Sequence, residues 1–441
     1  MRRSGMLSRW PGRAFVTIVA GAFCAGVGVI VADTARSAPE SRPDPPAAGV
    51  HTDPRPAERA ATLATLAVFP DAGATGVGLD AAVLVHAGSG YLESVRVAPA
   101  TGAPVEGTFA SAGNTWRSEG PLAPGTVYRI TSVVTGYSGV TARSVSTFRT
   151  LTPLGNVGAT VFPGRGLSVG VAQPIVIRFD HFVTDAAARA AVLSHFAVTE
   201  SRPVAGGWHW FSNNELHFRP QRFWPTGEQI TLTSDLNGWN AGNGLWGSGQ
   251  PGTQFTIGHA HVSVADLATD KMTVTEDGKV VATYPFSGGR STDPTMNGVH
   301  IVLDRESVVR MVSSTNGVPV DSPDGYDELV YSDVHITDSG EYVHAAPWSV
   351  DSQGRENVSH GCINLSPADA LTFFGFTRVG DVVEVVGGPR PPALGDHGVM
   401  DWDTPWPDWT PGSMHSTVPP RPPATIVVDQ ASEATGTSAR R

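Results

Sequence analysis

The chain is 441 residues long, and its 50 glycines and 35 prolines argue for two to four domains of short elements rather than one large helical body. Lys plus Arg number 30 against 41 Asp plus Glu, a net charge of −11 without any long basic block, so nucleic acid is a poor candidate partner.

The N-terminus carries a location signal. Arg2, Arg3, Arg9 and Arg13 precede a charge-free apolar run over residues 14–32. Its length lies between the core of a signal peptide and a single span of about 20 residues, so residues 1–32 read as a signal peptide or membrane anchor. Uncleaved anchoring in the cytoplasmic membrane is the favoured form. The basic flank stays inside, which places everything after Asp33 outside the membrane. Residues 33–60, rich in Pro and Ala, lack apolar periodicity and read as an extended linker.

Residues 61–257 look duplicated. "VFPDAGATGVGLDAAVLV" (68–85) returns as "VFPGRGLSVGVAQPIVI" (161–177), and "PLAPGTVYRITS" (121–132) as "RFWPTGEQITLTS" (222–234). Short alternating runs broken by Gly and Pro predict two immunoglobulin-like sandwiches, 61–150 and 151–257. Neither copy presents a constellation for chemistry. His209 and His217 lie among Trp208, Trp210 and Phe218, where packing accounts for them. "NAGNGLWG" (240–247) has no carboxylate for a hard cation, and no metal is expected there.

A third, β-rich domain is predicted over 258–388. "EDGK" (276–279) signals a hairpin, and "NGVHIVL", "SVVRMV", "EYVHA" and "DVVEVV" read as strands. One helix is expected at "SPADALTFF" (366–374), with Ser366 as N-cap, Pro367 at the first helical position and Asp369 three residues after the cap. Residues 389–413 carry Trp402, Trp406 and Trp409, large aromatics too dense to stand free of a folded body, and read as a Trp-rich C-terminal subdomain, while 414–441 read as a disordered tail. The fold class is mainly β.

Cys24 falls inside the apolar run, which leaves Cys362 as the one thiol outside the membrane. A leftover cysteine in an exported chain is a reactive thiol, an intermolecular link or a buried filler. Its neighbours favour reactivity. His360 lies two residues away, and His344 ends a strand-like run that offers a rigid platform for a base. Gly361 lets a carbonyl approach and leaves backbone N–H groups near an oxyanion. An adjacent imidazole is expected to lower the thiol pKa.

"SHGCINLS" preceded by "YVHAAPWS" resembles the active-site pattern of the L,D-transpeptidases (YkuD-type catalytic domain), and the order of parts resembles their membrane-anchored actinobacterial members with two Ig-like modules. The resemblance implies a Cys362 nucleophile, a His344 base, a supporting His360 and an oxyanion hole from the N–H groups of Gly361 and Cys362. It implies a lid over 321–340, with Tyr326, Ser339, Gly340 and Asn364 contacting substrate and Trp348 packing beside His344 or touching ligand. Two departures stand out: Ala345 follows the histidine where relatives have serine, and Asp338 replaces a tyrosine before Ser339–Gly340. The implied reaction joins peptidoglycan tetrapeptide stems, donor and acceptor, by 3→3 cross-links in cell-wall biogenesis and maintenance of cell shape. Carbapenems are expected to acylate the same thiol. No cofactor is implied, and a monomer is expected. Two alternatives remain open here: a sortase-like thiol acyl-transferase, and a wall-binding module whose Cys362, His360 and His344 hold zinc.

Overall fold

The structure, a computed structural model, describes residues 65–410 and the backbone of 414 and 415. The apolar run 14–32, the linker 33–60 and most of the tail 414–441 lie outside the described residues. Among those described, no helix is long and apolar enough to cross a membrane. The chain divides into two compact units, one ending at Thr152 and the other starting at Pro153.

The first unit contains β1 (Leu66–Phe69), β2 (Leu84–Ala87), β3 (Gly90–Pro99), β4 (Gly107–Phe109), β5 (Thr115–Ser118), β6 (Val127–Gly136) and β7 (Thr141–Arg149). They form a four-stranded sheet, β1-β2-β5-β4, and a three-stranded one, β3-β6-β7. Alternation along β6 buries Tyr128, Ile130 and Val134 against Val85, Trp116 and Phe148 of the same core. Tyr128 stacks on Phe148 with centroids 5.3 Å apart. Its hydroxyl accepts the Ala123 N–H at 2.8 Å, so the polar tip is satisfied.

The second unit opens with another Ig-like sandwich. Its strands are β8 (Gly155–Val157), β9 (Ala159–Phe162), β10 (Ser168–Val169), β11 (Ile175–Phe179), β12 (Phe196–Glu200), β13 (Gly206–Trp210), β14 (Glu215–Pro220), β15 (Gln229–Ser234), β16 (Asn240–Gly242), β17 (Leu245–Gly247) and β18 (Thr253–Ile257), with helix α1 (Ala186–Val192) before β12. One sheet runs β10-β18-β15-β12; the other contains β13-β14-β11-β9. The duplicated text lands in corresponding places, "VYRITS" in β6 and "QITLTS" in β15. "NAGNGLWG" is a tight hairpin, with Asn243 and Gly244 both at positive φ.

The region after the second sandwich adds β19 (His261–Asp266), β20 (Lys271–Glu276), β21 (Lys279–Pro285), β22 (Gly298–Ile301), β23 (Asp304–Val312), β24 (Asp327–His335), β25 (Tyr342–Ala345), β26 (Ile363–Leu365), α2 (Pro367–Phe376) and β27 (Val382–Val386). A five-stranded sheet, β21-β20-β19-β27-β22, and a four-stranded sheet, β23-β24-β25-β26, enclose a core of Met272, Phe286, Val334, Val343, Ile363, Phe373 and Val383. The predicted caps hold: Asp277 and Gly278 turn the β20–β21 hairpin with φ of 50° and 78°, and the Ser366 hydroxyl accepts the Asp369 N–H at 3.2 Å to start α2. Ile301 and Val382 also pack into the core of the second sandwich, so apolar packing runs on between the sandwich and these sheets.

The Trp-rich segment packs on both neighbours. Asp403 accepts the Val299 N–H at 2.9 Å and the Gly398 carbonyl accepts the Ile301 N–H at 2.9 Å, which ties the segment to β22, while α3 (Met400–Asp403) and α4 (Trp406–Trp409) bring Trp402, Trp406 and Trp409 around the buried Arg219 guanidinium of β14, 4.5–5.0 Å from the ring centroids. Trp409 Nε1 donates to Gly207 O at 2.9 Å, and Trp402 Nε1 to Ala172 O at 2.8 Å. The contact is one of complementarity: the buried Arg219 cation meets three π faces and donates to the Thr404 carbonyl at 2.9 Å. Two tail residues expected to be without structure form β28 (Met414–His415) beside β13.

Candidate active site

The site is set by register. Parallel pairing places His344 of β25 beside Asn364 of β26, with Val343 beside Ile363 and Ala345 beside Leu365. The latter four belong to the buried core. Side chains alternate along a strand, so Tyr342, His344, Cys362 and Asn364 share the opposite face. His344, Cys362 and Asn364 all line one cleft of about 280 Å³.

A tight turn presents the cysteine. Ser359 Oγ donates to Cys362 O at 2.6 Å and accepts the Gly361 N–H at 3.1 Å. Gly361 sits at φ +127°, where an L side chain is strained. This corrects the expected oxyanion hole: the Gly361 N–H is already committed to closing the turn. For the Cys362 N–H no acceptor is found among the described residues.

His344 is 3% exposed, and its Nδ1 lies 3.1 Å from the Ala345 carbonyl. A carbonyl only accepts, so Nδ1 carries the proton and Nε2 keeps a free lone pair. The hydroxyl lost at Ala345 is irrelevant to this contact. Burial pushes the imidazole down to about 4, only partly offset by that carbonyl. Burial likewise pushes the Cys362 thiol up to about 12, opposed by the Tyr342 N–H and reinforced by Glu341 and Asp333. The thiol is partly exposed and points its proton at Gly340 O, 3.9 Å away. The resting pair is therefore neutral thiol and neutral imidazole, contrary to the expectation that the imidazole pre-ionises the sulfur. A dry site penalises both charges.

The cleft is covered by the tip of the β23–β24 hairpin. Tyr326 N–H donates to Ser313 Oγ at 3.0 Å, and Asp324 is held by Arg290 at 3.0 Å, itself paired with Asp293 at 2.6 Å. The span 321–340 is thus not one lid. Residues 321–326 cap the cleft, 327–335 form β24, and Ser339–Gly340 belong to the turn before β25. That turn is pinned by Asp396, which accepts the Asp338 and Ser339 N–H groups at 2.9 Å. Gly340 touches the thiol; Ser339 does not line the cleft. His360 is exposed, tilts against Tyr326 at 5.2 Å and forms the cleft wall. Trp348, 54% exposed and 6.1 Å from the His344 ring, also faces the cleft rather than the core. Asn364 donates to Ser349 Oγ at 3.2 Å, while its buried Oδ1 has no partner among the described residues.

Sequence reasoning missed three groups. Arg290 and Asp324 latch the cap; only their opposite charges hinted at it. Buried Glu341, raised to about 7 by burial despite Arg390, and Asp333, raised to about 7 by burial and Glu306, flank the cysteine. Both sit in strand-like text where a polar residue reads as solvent-facing. His217, assigned to packing, instead bridges two carboxylates, Glu215 at 2.8 Å and Asp401 at 2.7 Å. Asp338 pairs with His397. The Cys362/His360/His344 zinc reading fails on geometry: among the described residues, ligand atoms close enough to share an ion come from Glu215, His217 and His397.

Residues 260–385 match the family described as L,D-transpeptidase catalytic domain, and residues 74–240 match bacterial Ig domain. L,D-transpeptidase 2 of Mycobacterium tuberculosis is 39% identical over 344 residues, covering 77% of this chain and 83% of that protein. L,D-transpeptidase 5 of the same species is 29% identical, over 79% of this chain and 76% of its own. An L,D-transpeptidase solved in complex with imipenem shares 37% identity, with 52% of this chain and 99% of that chain covered at a TM-score of 0.46.

Proposed function

The chain belongs to the L,D-transpeptidases, and from that premise we propose which residues perform the acyl transfer and on what substrate. Cys362 is the nucleophile and His344 Nε2 its base. The observation that carries this is a partly exposed thiol and a buried imidazole with a free acceptor nitrogen, lining one capped cleft.

The donor is a tetrapeptide stem whose third residue is a diamino acid. Because both partners rest neutral, the thiol proton moves to His344 as sulfur attacks the third-residue carbonyl. The developing oxyanion is met by the Cys362 N–H. Collapse breaks the amide to the terminal D-alanine, whose amine leaves with the proton from His344, and a thioester remains on Cys362. The side-chain amine of an acceptor stem then attacks the thioester. His344 takes that amine's proton and returns it to the departing sulfur, leaving a 3→3 bond. Asn364 Oδ1, buried and unpaired, suits a donor-stem N–H. Tyr326, Trp348 and His360 wall the donor site, while Ser339 and Gly340 shape the turn behind the sulfur. A carbapenem, with a strained acyl carbon, acylates the same thiol.

Such stems lie outside the cytoplasmic membrane, so the enzyme acts there, carried by residues 1–32 as anchor or signal peptide, with the two sandwiches as spacers and the protein working as a monomer. Incubation with a disaccharide-tetrapeptide yields free D-alanine and a 3→3 dimer in wild type, neither with Cys362→Ala. Release of D-alanine by that variant would refute the assignment.

A further inference from the structure

A second cavity of about 260 Å³ lies between the second sandwich and the turn that precedes β25, lined by Arg178, Glu215, His217, His335, Asp338, His397 and Asp401 among others. We propose that Glu215, His217 and His397 form a binding site for one borderline divalent cation, zinc being the best fit, on the wall of this cavity.

The donor set is the first argument. One ligand atom each from Glu215, His217 and His397 lies within 4.8 Å of the others, an N₂O set of the kind zinc takes when one position stays open. The two imidazoles converge on the same Glu215 oxygen, at 2.8 and 3.0 Å.

The outer shell is the second. A ligating histidine is typically oriented by donating its other ring N–H to a carboxylate. Here His217 Nδ1 meets Asp401 at 2.7 Å, and His397 Nδ1 meets Asp338. With each Nδ1 proton held by a carboxylate, an ion that displaces the Nε2 protons would meet both Nε2 lone pairs. Asp401 is 1% exposed and its second oxygen has no partner among the described residues, which leaves an acceptor for a water in the adjoining cavity.

Charge balance is the third. Glu215, Asp338 and Asp401 bring three carboxylates; against them stand Arg178, which holds the other Glu215 oxygen at 2.9 Å and reaches the shared one at 3.4 Å, and Arg219, which faces Asp401. Two imidazolium protons or one divalent cation complete the same sum, so the ion replaces protons without adding net charge. The competing state is the ion-free, doubly protonated pair.

The site has a route to the thiol. Asp338 is followed by Ser339 and by Gly340, whose carbonyl accepts from Cys362. An ion that stiffens His397 and Asp338 stiffens the turn behind the nucleophile.

The test uses untagged full-length protein carrying Cys362→Ala, so that the catalytic thiol cannot contribute and the result stands apart from the transpeptidase assignment. Chelator-stripped protein is titrated with zinc against a chromophoric chelator, and with cobalt for its visible spectrum. One equivalent binds at micromolar or tighter affinity, with a cobalt spectrum of nitrogen and oxygen ligands. His397→Gln abolishes it; Asp338→Asn, a milder change that keeps all three ligands, weakens it roughly 10–100-fold. No saturable equivalent, an affinity untouched by both variants, or zinc bound only when Cys362 is present would each overturn the proposal.

Discussion

Asp333→Asn isolates the electrostatics beneath the nucleophile. Asp333 is 1% exposed, neither carboxylate oxygen has a partner among the described residues, and burial together with Glu306 lifts its pKa from an ordinary 3.8 to about 7. A folded-state pKa above the unfolded one means that ionisation opposes folding. The wild type therefore suffers no penalty below pH 4 and loses stability as pH rises through about 7. Three pKa units at about 1.4 kcal/mol each put the full penalty at about 4 kcal/mol at pH 8.5, against about 2 kcal/mol at pH 5. Asparagine preserves the shape and an unpaired polar group but cannot ionise. Urea unfolding of both proteins at the two pH values should show the variant gaining about 2–3 kcal/mol on the wild type between pH 5 and 8.5. Because Asp333 also raises the Cys362 thiol, iodoacetamide should alkylate the variant faster at pH 8.5. A stability difference independent of pH would show that Asp333 finds a proton partner or water, and the reasoning would fail.

His344→Ala should slow acylation by about 10²–10⁴-fold, the range of a positioned base, whereas His360→Ala should cost less than about tenfold; stopped-flow acylation by a carbapenem separates them, and equal losses would leave the base unassigned. Gly361→Ala places a side chain at φ +127° and should cost about 1–3 kcal/mol in unfolding experiments while displacing the thiol. An unchanged Tm would contradict the strain. Arg290→Ala releases the cap at Asp324; a surface pair of this kind is worth about 0.2–1 kcal/mol, so KM should rise up to about fivefold with kcat little changed. A fall in kcat alone would place Arg290 in the chemistry instead.

Local patterns were legible where the physics is local. The N-cap at Ser366, the Asp277–Gly278 hairpin and the alternating strands each follow from neighbours in sequence, and the structure places them as read. The thiol and its two histidines were also visible, because so few residue types do this chemistry. What sequence withheld depends on distant partners. Whether Gly361 N–H is free depends on Ser359, and the protonation of Cys362 and His344 on how dry the cleft is. His217 looked like packing because its carboxylate partner Asp401 is 184 positions away. That the Trp-rich segment also packs on the second sandwich was not legible, because it depends on Arg219, whose burial no local text announces.

The central claim, acyl transfer through Cys362 with His344 as its base, is tested most directly by intact-protein mass spectrometry of a quenched reaction with a tetrapeptide stem, followed by proteolytic mapping of the adduct. The account predicts a thioester equal in mass to the stem less D-alanine, confined to the peptide that contains Cys362 and cleared when an acceptor stem is added. An adduct on any other residue, or turnover without one, would contradict it.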